Sequence, residues 1–229
     1  MLLDILQKKQ SKFAKVVPFN AQQDTLLLLD FAATNVDLTD EMLNNTDNFS
    51  AYINTKLKIT NAKYGIGGYN EHRMVYSRSK VFDTTDEPRR LHLGVDIWGE
   101  AETPVFAALD GVVHSFAFNS QFGDYGATII LQHQLEDVIF YALYGHLSLK
   151  DLEGLYEGKT FSKGELVAHF GRAEENGAWP PHLHYQLIID MQGKKGDYPG
   201  VCKLSERAAY LANCPNADLI LQMLQFAKG

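Results

Sequence analysis

A pair of histidines separated by one residue is the feature of this chain with the clearest chemical potential. His182 and His184 lie in an apolar stretch that is predicted to be a β-strand. Successive side chains of a strand alternate between its two faces, so both imidazoles point one way, about 6–7 Å apart, and Leu183, Tyr185 and Leu187 point the other way. One imidazole can then bind a metal ion while the other faces the same small volume. Because a lone pair of this kind is more often an ordinary feature of a strand end, the interpretation depends on the rest of the chain.

A second segment, His92-Leu93-Gly94-Val95-Asp96, brings a histidine and a carboxylate within four positions of each other. A helix would place His92 and Asp96 on one face, but glycine and β-branched residues disfavour a helix here. On a straight strand the two side chains would lie about 13 Å apart, too far to share one metal ion. The sequence therefore predicts that the chain bends at Gly94, where the absence of a Cβ best permits it.

A third segment, Gly145-His146-Leu147-Ser148, ends a predicted strand with another histidine. Taken together and in this order, the three segments resemble the lysostaphin-type, or LytM-like, family of zinc metallopeptidases. That family is marked by His-x-Gly-x-Asp, then Gly/Ala-His-Leu-Ser, then His-x-His, and the resemblance covers about residues 89–190.

The resemblance implies a zinc site with two assisting histidines. Carried over residue by residue, it makes His92, Asp96 and His184 the ligands of one Zn²⁺ per chain. It leaves His146 and His182 unligated beside the metal. Three protein ligands leave a fourth position for water, which is typical of catalytic zinc, whereas structural zinc usually has four protein ligands. We assign His182 as the general base, because it shares a strand face with His184, and His146 as the group that stabilises the oxyanion.

The function implied by the resemblance is that of a zinc-dependent metalloendopeptidase, a hydrolase that cleaves peptidoglycan-type cross-links or stem peptides with a zinc-activated water. The alternative is a non-catalytic, zinc-containing module of the same fold that binds peptides or cell wall. Degenerate copies usually lose ligands, and because all five positions are filled here, the enzyme is favoured. We expect Tyr144 and Arg78 to contact substrate. We expect Asn70, in a glycine-rich turn, to act as a latch that supplies a zinc ligand from the preceding segment.

The pattern of apolar residues predicts a mainly β protein in three regions. Residues 1–70 form an appended region of mixed α/β structure, with a strand near 25–31, a helix N-capped by Thr39 and an amphipathic helix over about 47–59. Residues 71–195 form the metallopeptidase domain, an antiparallel sheet or sandwich of short runs separated by Gly, Asp and Asn. Its predicted strands are 104–107, 111–117, 127–133, 138–144, 166–169 and 182–189. Residues 196–229 form a C-terminal α-helical extension.

Composition and charge exclude several classes of protein. The 229 residues are 45% hydrophobic, enough for a sizeable core, and carry 21 Lys plus Arg against 28 Asp plus Glu, for a net charge of -7. Without a basic run, nucleic acid is not an expected partner. Neither a signal segment nor a membrane-spanning stretch is recognised, so a cytoplasmic location is expected, or export if a leader precedes this sequence. Cys202 and Cys214 are predicted to be reduced, structural thiols, and a disulfide bond between them is the alternative. The pattern indicates no particular oligomeric state.

Overall fold

Strands outnumber helices in the part of the chain that the computed structural model describes, residues 2–83 and 87–229. The α-helices are α1 (Leu2–Lys8), α2 (Asp40–Leu43), α3 (Thr46–Thr60), α4 (Arg207–Asn213) and α5 (Asp218–Leu221). The strands are β1 (Leu26–Leu28), β2 (Tyr64–Gly67), β3 (Leu91–His92), β4 (Val95–Trp98), β5 (Pro104–Phe106), β6 (Gly111–Asn119), β7 (Gly126–Leu135), β8 (Val138–Leu147), β9 (Thr160–Phe161), β10 (Leu166–His169), β11 (His182–Ile188), β12 (Val201–Cys202) and β13 (Ala227–Lys228). The prediction of a mainly β protein is confirmed.

One large sheet organises the described residues. Its nine strands lie in the order β13-β1-β2-β4-β11-β8-β7-β6-β9. β1 pairs in parallel with β13 and with β2, and every pair from β2 to β9 is antiparallel. Two further antiparallel pairs, β5 with β10 and β3 with β12, lie outside it. The antiparallel core expected from short, evenly separated runs is therefore present.

Strand β11 lies in the middle of the sheet, between β4 and β8, and all seven of its residues are buried. On one face Leu183, Tyr185 and Leu187 join the main apolar core. The alternation of side chains places His182 and His184 on the opposite face. The two faces of this strand are thus those that the sequence predicted.

The regions before and after the predicted domain extend the same sheet. β2 pairs with β4, with Ile66 opposite Ile97, and β1 and β13 complete that edge. The two predicted N-terminal helices are present as α2 and α3, and the hydroxyl of Thr39 caps α2. Strands from both regions therefore belong to the same sheet as the predicted domain, and the exact domain boundaries stay predictions.

The C-terminal extension is helical only in part. α4 and α5 lie within the predicted helical extension, but β12 and β13 were not predicted. Cys202 and Cys214 are free and buried, and burial raises the pKa of each thiol to about 12. Across the described residues, the structure contains no helix that combines the length and the apolar character required to cross a bilayer.

Candidate metal centre

Gly94 lies at a break between the two strands that carry the first two candidate ligands. β3 ends at His92 and β4 begins at Val95, and the two strands pair with different partners. A Cβ at position 94 would lie 2.6 Å from Cε1 of the His184 ring, so glycine leaves the room that this ring occupies. The predicted bend is present, and it turns His92 back toward Asp96.

The side chains of His92, Asp96 and His184 converge on one small volume. His184 lies opposite Asp96 in the register of β11 and β4. Nδ1 of His184 is 2.9 Å from Nε2 of His92 and 3.0 Å from Oδ1 of Asp96, and the His92–Asp96 distance is 3.3 Å. All three residues are buried, and their ligand atoms lie within 4.8 Å of one another. Two imidazole nitrogens and one carboxylate oxygen form a donor set that suits zinc, so these residues fit the predicted metal.

Each imidazole of this group is fixed by a second hydrogen bond. Nδ1–H of His92 donates to the carbonyl oxygen of Gly68 at 2.8 Å. Nε2 of His184 lies 2.9 Å from Oε1 of Gln186, an acceptor, and therefore carries the proton. These contacts leave Nε2 of His92 and Nδ1 of His184 free to ligate a metal ion, because the partner of one ring nitrogen sets the tautomer of the ring.

A buried arginine occupies the other oxygen of the carboxylate ligand. Nη1 of Arg73 donates to Oδ2 of Asp96 at 2.5 Å, and Nε of Arg73 donates to Oε2 of Glu71 at 2.5 Å. Burial alone would raise the pKa of Asp96, but His92 and the Arg73 guanidinium hold it well below its ordinary value. Burial, aided by Arg73, lowers the pKa of His92 to about 3. Asp96 is therefore ionised and His92 neutral near pH 7, the forms that bind metal.

His146 and His182 face the same volume as the candidate ligands. Their ring centroids are 4.1 Å apart, and the ring of His146 is 6.3 Å from that of His184. Nδ1–H of His146 donates to the carbonyl oxygen of Asn176 at 2.8 Å, and Nδ1–H of His182 donates to that of Pro180 at 2.7 Å. Burial lowers the pKa of His182 to about 4 and, with His182 nearby, that of His146 well below its ordinary value. Both rings are therefore neutral near pH 7, with Nε2 available as a proton acceptor.

The backbone and a neighbouring ring hold these two histidines in place. His146 has φ of 62°, a left-handed conformation that few residues other than glycine adopt. Its N–H donates to the carbonyl of Tyr125, and its carbonyl accepts from the N–H of Gly171, both at 2.8 Å. The ring of His182 stacks on Trp98, with centroids 3.8 Å apart and planes 14° from parallel. Neither imidazole is free to turn away from the candidate metal centre.

A cavity of about 160 Å³ opens onto these side chains. Asp96, His184, His146 and His182 all contribute to its wall. The rest of the wall includes six aromatic side chains and four charged ones: Tyr76, Phe82, Trp98, Tyr125, Trp179 and Tyr198, and Arg73, Arg89, Asp124 and Asp197. A group that enters this space therefore meets two of the three candidate ligands and both unligated histidines.

The two residues predicted to contact substrate lie behind the cavity wall. Tyr144 is fully buried in the main core, where its ring lies 5.1 Å from that of Tyr185, because alternation along β8 turns it inward. Arg78 donates from Nη2 to Oγ1 of Thr46 at 2.8 Å, and its guanidinium lies 4.8 Å from the centre of the Trp179 ring. Neither Tyr144 nor Arg78 is among the described residues that line the cavity.

Asn70, the predicted latch, is engaged by the C-terminal helix. Its side-chain Oδ1 accepts a hydrogen bond from Nε of Arg207 at 2.8 Å, and its backbone N–H donates to the carbonyl of His92 at 2.9 Å. The structure therefore brings Asn70 beside the ligand segment without bringing its amide into the ligand group. The latch stays a prediction.

Two contacts of the site were not predicted, namely that of Gln186 with His184 and that of Arg73 with Asp96, and they differ in how far the sequence could have revealed them. Gln186 continues the alternation of His182 and His184 along one face of β11, so the same argument applied two residues further would have found it. Arg73 carries no such signal. It reaches Asp96 only because residues 70–73 run antiparallel beside 90–92.

Comparison with known proteins finds similar sequences for the segment that carries His92, Asp96 and His184. Residues 90–197 match the model of peptidase family M23. A 101-residue stretch is 36% identical to an uncharacterized metalloprotease of Haemophilus influenzae, covering 44% of this chain and 19% of that protein. The chain thus spans about a fifth of the length of this relative.

Solved structures with weaker similarity include two peptidases. The catalytic domain of lysostaphin from Staphylococcus simulans is 17% identical with a TM-score of 0.41, and covers 70% of this chain and 96% of that one. A zinc-containing peptidase from Vibrio cholerae is 22% identical with a TM-score of 0.35, and covers 44% of this chain and 28% of that one.

Proposed function

Since residues 90–197 of this chain belong to peptidase family M23, we propose that the protein is a zinc metalloendopeptidase. Its proposed substrates are peptide bonds of peptidoglycan-type cross-links or stem peptides. The observation that carries the proposal is the convergence of His92, Asp96 and His184 beside two neutral, unligated histidines in one cavity.

The donor set supports a catalytic zinc ion over a structural one. Among the His, Cys, Asp and Glu residues that the structure describes, three side chains meet at the site, and a three-ligand zinc site leaves a position for water or substrate. Bound zinc would polarise the scissile carbonyl and make a water molecule more acidic.

The chain's own residues then have distinct tasks in peptide hydrolysis. His182 accepts the proton of the attacking water and later delivers it to the leaving amine, since its Nδ1–H is tied to Pro180 and Nε2 is available. His146 lies beside it and interacts with the oxygen of the tetrahedral intermediate. Both histidines are buried, and their low-dielectric surroundings strengthen their electrostatic interactions.

The second candidate function is a non-catalytic module that binds peptides. The aromatic lining of the cavity favours it, because such rings supply contact area for peptides. A binding module, however, would not require His146 and His182 to be held rigidly beside the three candidate ligands. We therefore favour the enzyme.

The proposal is tested by zinc content and peptide cleavage measured on the same samples. We expect about one zinc per chain in the wild type and none in His184→Ala. His182→Ala and His146→Ala should keep the zinc, while His182→Ala should lose about 10²–10⁴-fold in the rate of cleavage of peptidoglycan-derived peptides. His114→Ala, on β6, is the matched control and should resemble the wild type.

Two results would contradict the proposal. Wild-type protein that binds no zinc after reconstitution would exclude the enzyme and leave the binding module as the better account. Zinc-loaded wild type that binds peptides without cleaving them would leave the binding module as the better account.

A further inference from the structure

Arg73 is the most deeply buried charged side chain beside the candidate metal centre. It is 1% exposed, and its guanidinium donates to Glu71 and Asp96 and lies 3.4 Å from the hydroxyl of Tyr76. A buried charge is strongly unfavourable unless it is paired and hydrogen bonded. The two carboxylates provide that pairing, so the guanidinium is fixed in both position and direction.

The fixed guanidinium leaves Asp96 only one oxygen for a metal ion. Oδ2 accepts from Nη1 of Arg73, whereas Oδ1 lies 3.0 Å from Nδ1 of His184 and 3.3 Å from Nε2 of His92. Without Arg73, both carboxylate oxygens could turn to the metal. Carboxylates bind metals through one or both oxygens, and ions such as Ca²⁺ and Mn²⁺ favour sites richer in oxygen ligands than the tetrahedral sites of zinc.

Arg73 and its anchor, the carboxylate of Glu71, lie outside the segment that matches the peptidase family, residues 90–197. Residues 70–73 run beside 90–92, with hydrogen bonds from the N–H of Arg73 to the carbonyl of Arg90 and from the N–H of His92 to the carbonyl of Glu71. Oε1 of Glu71 also accepts from the backbone N–H of Phe31 at 3.0 Å. The N-terminal region therefore takes part in building the candidate metal centre.

We propose that Arg73 is a positioning residue that restricts Asp96 to one donor oxygen and thereby makes the site select zinc over divalent ions that need more oxygen ligands. This inference rests on the proposed zinc site. It does not depend on which peptide is cleaved, or on whether cleavage occurs.

The test compares the affinities for Zn²⁺ and Mn²⁺ in wild type and Arg73→Met, each measured by competition with a chelator in the absence of substrate. Removal of a positive charge raises the affinity for both divalent ions by electrostatics, and that effect cancels in the ratio of the two affinities. We expect the preference for zinc over manganese to fall by about tenfold or more, in line with the effect of changing a residue that orients a metal ligand. Arg172→Met, an exposed arginine that pairs with Glu102, is the matched control and should leave the ratio unchanged.

A spectroscopic measurement separates positioning from a merely structural role. Cobalt-substituted wild type should show the strong visible absorption of a four-coordinate site, and Arg73→Met the weaker absorption of a higher coordination number. Arg73→Lys, which keeps the charge but not the planar fork, should recover the ratio in part. If Arg73→Met does not fold, Glu71→Gln weakens the same anchor and should shift the ratio in the same direction by less.

The outcomes distinguish this inference from the proposed function. An unchanged zinc-to-manganese ratio and cobalt spectrum in a folded Arg73 variant would overturn the inference and leave the peptidase proposal intact. A reduced ratio in a protein that cleaves no peptide would support the inference while the proposed enzyme fails. Wild type that binds neither ion would overturn both.

Discussion

Replacing Gly94 with alanine should damage the metal centre without touching a ligand. The added Cβ would lie 2.6 Å from Cε1 and 2.7 Å from Nε2 of His184, and 2.9 Å from the carbonyl oxygen of Tyr185. Ordinary van der Waals contact begins at 3.4 Å, so the ring must retreat by about 0.8 Å. Because the imidazole is rigid, its ligand atom Nδ1 moves with the ring, and the hydrogen bond from Nε2 to Gln186 is disturbed as well.

The displacement of the His184 ring is large enough to predict losses of both zinc affinity and stability. Metal–ligand distances vary by only about 0.2 Å in a good site, so a shift of this size should lower the zinc affinity of Gly94→Ala by about tenfold or more. Crowding of this kind costs about 1–3 kcal/mol of stability. For a protein of this size, each kcal/mol lowers the melting temperature by about 2–4 °C. Chelator competition and thermal unfolding of the metal-free protein measure the two effects separately.

Gly65→Ala is the matched control for Gly94→Ala. Its Cβ would lie 2.3 Å from Cδ1 of Leu29, the flexible end of an aliphatic side chain rather than a metal ligand. We expect it to lower the melting temperature and to keep the zinc affinity of the wild type. The reasoning would be refuted by a Gly94→Ala protein whose zinc affinity equals that of the wild type, or by equal losses of affinity in both variants.

Two further substitutions test a hydrogen-bond partner of His184 and the effect of a buried carboxylate on stability. Gln186→Leu removes the acceptor of Nε2–H of His184, and a chelator titration should show a loss of zinc affinity of about 10–100-fold. Burial raises the pKa of Asp124, so its charged form destabilises the fold once the pH rises above the ordinary value of about 3.9 and through the raised value. Asp124→Asn should therefore raise the melting temperature at pH 7 by a few degrees, and the gain should disappear below about pH 4; a gain that persists at pH 3 would contradict this cause.

The short-range features of the fold and the site were predictable from the sequence. Period-two alternation fixed the two faces of β11, and the poor helix propensity of the segment around Gly94 required a bend between His92 and Asp96. The order of the three motifs indicated the lysostaphin and LytM type, and the match of residues 90–197 to peptidase family M23 confirms that resemblance. Each of these inferences used residues within a few positions of one another, where side-chain direction follows from local geometry.

Features that depend on pairing between distant segments were not predictable in the same way. A single sequence does not reveal that β2 pairs with β4, or that residues 70–73 lie beside 90–92 and so bring Arg73 to Asp96. The same is true of β13, which adds a parallel strand from the predicted helical tail. The inward position of Tyr144 could have been anticipated, because it lies two residues from Ala142 on the core face of β8.

The hydrogen bonds of the two unligated histidines constrain the order of their roles. A carbonyl oxygen can only accept, so Nδ1 of His146 and Nδ1 of His182 both carry protons, donated to Asn176 and Pro180. With both rings neutral, neither Nε2 has a proton to give at the start of a reaction. The fold nevertheless keeps His146 in a left-handed conformation, which costs about 1–3 kcal/mol and indicates a constraint on the direction of its ring. In the proposed mechanism, Nε2 of His146 can therefore donate to an oxyanion only once it has gained a proton of its own, because the proton that His182 takes from the attacking water is returned to the leaving amine.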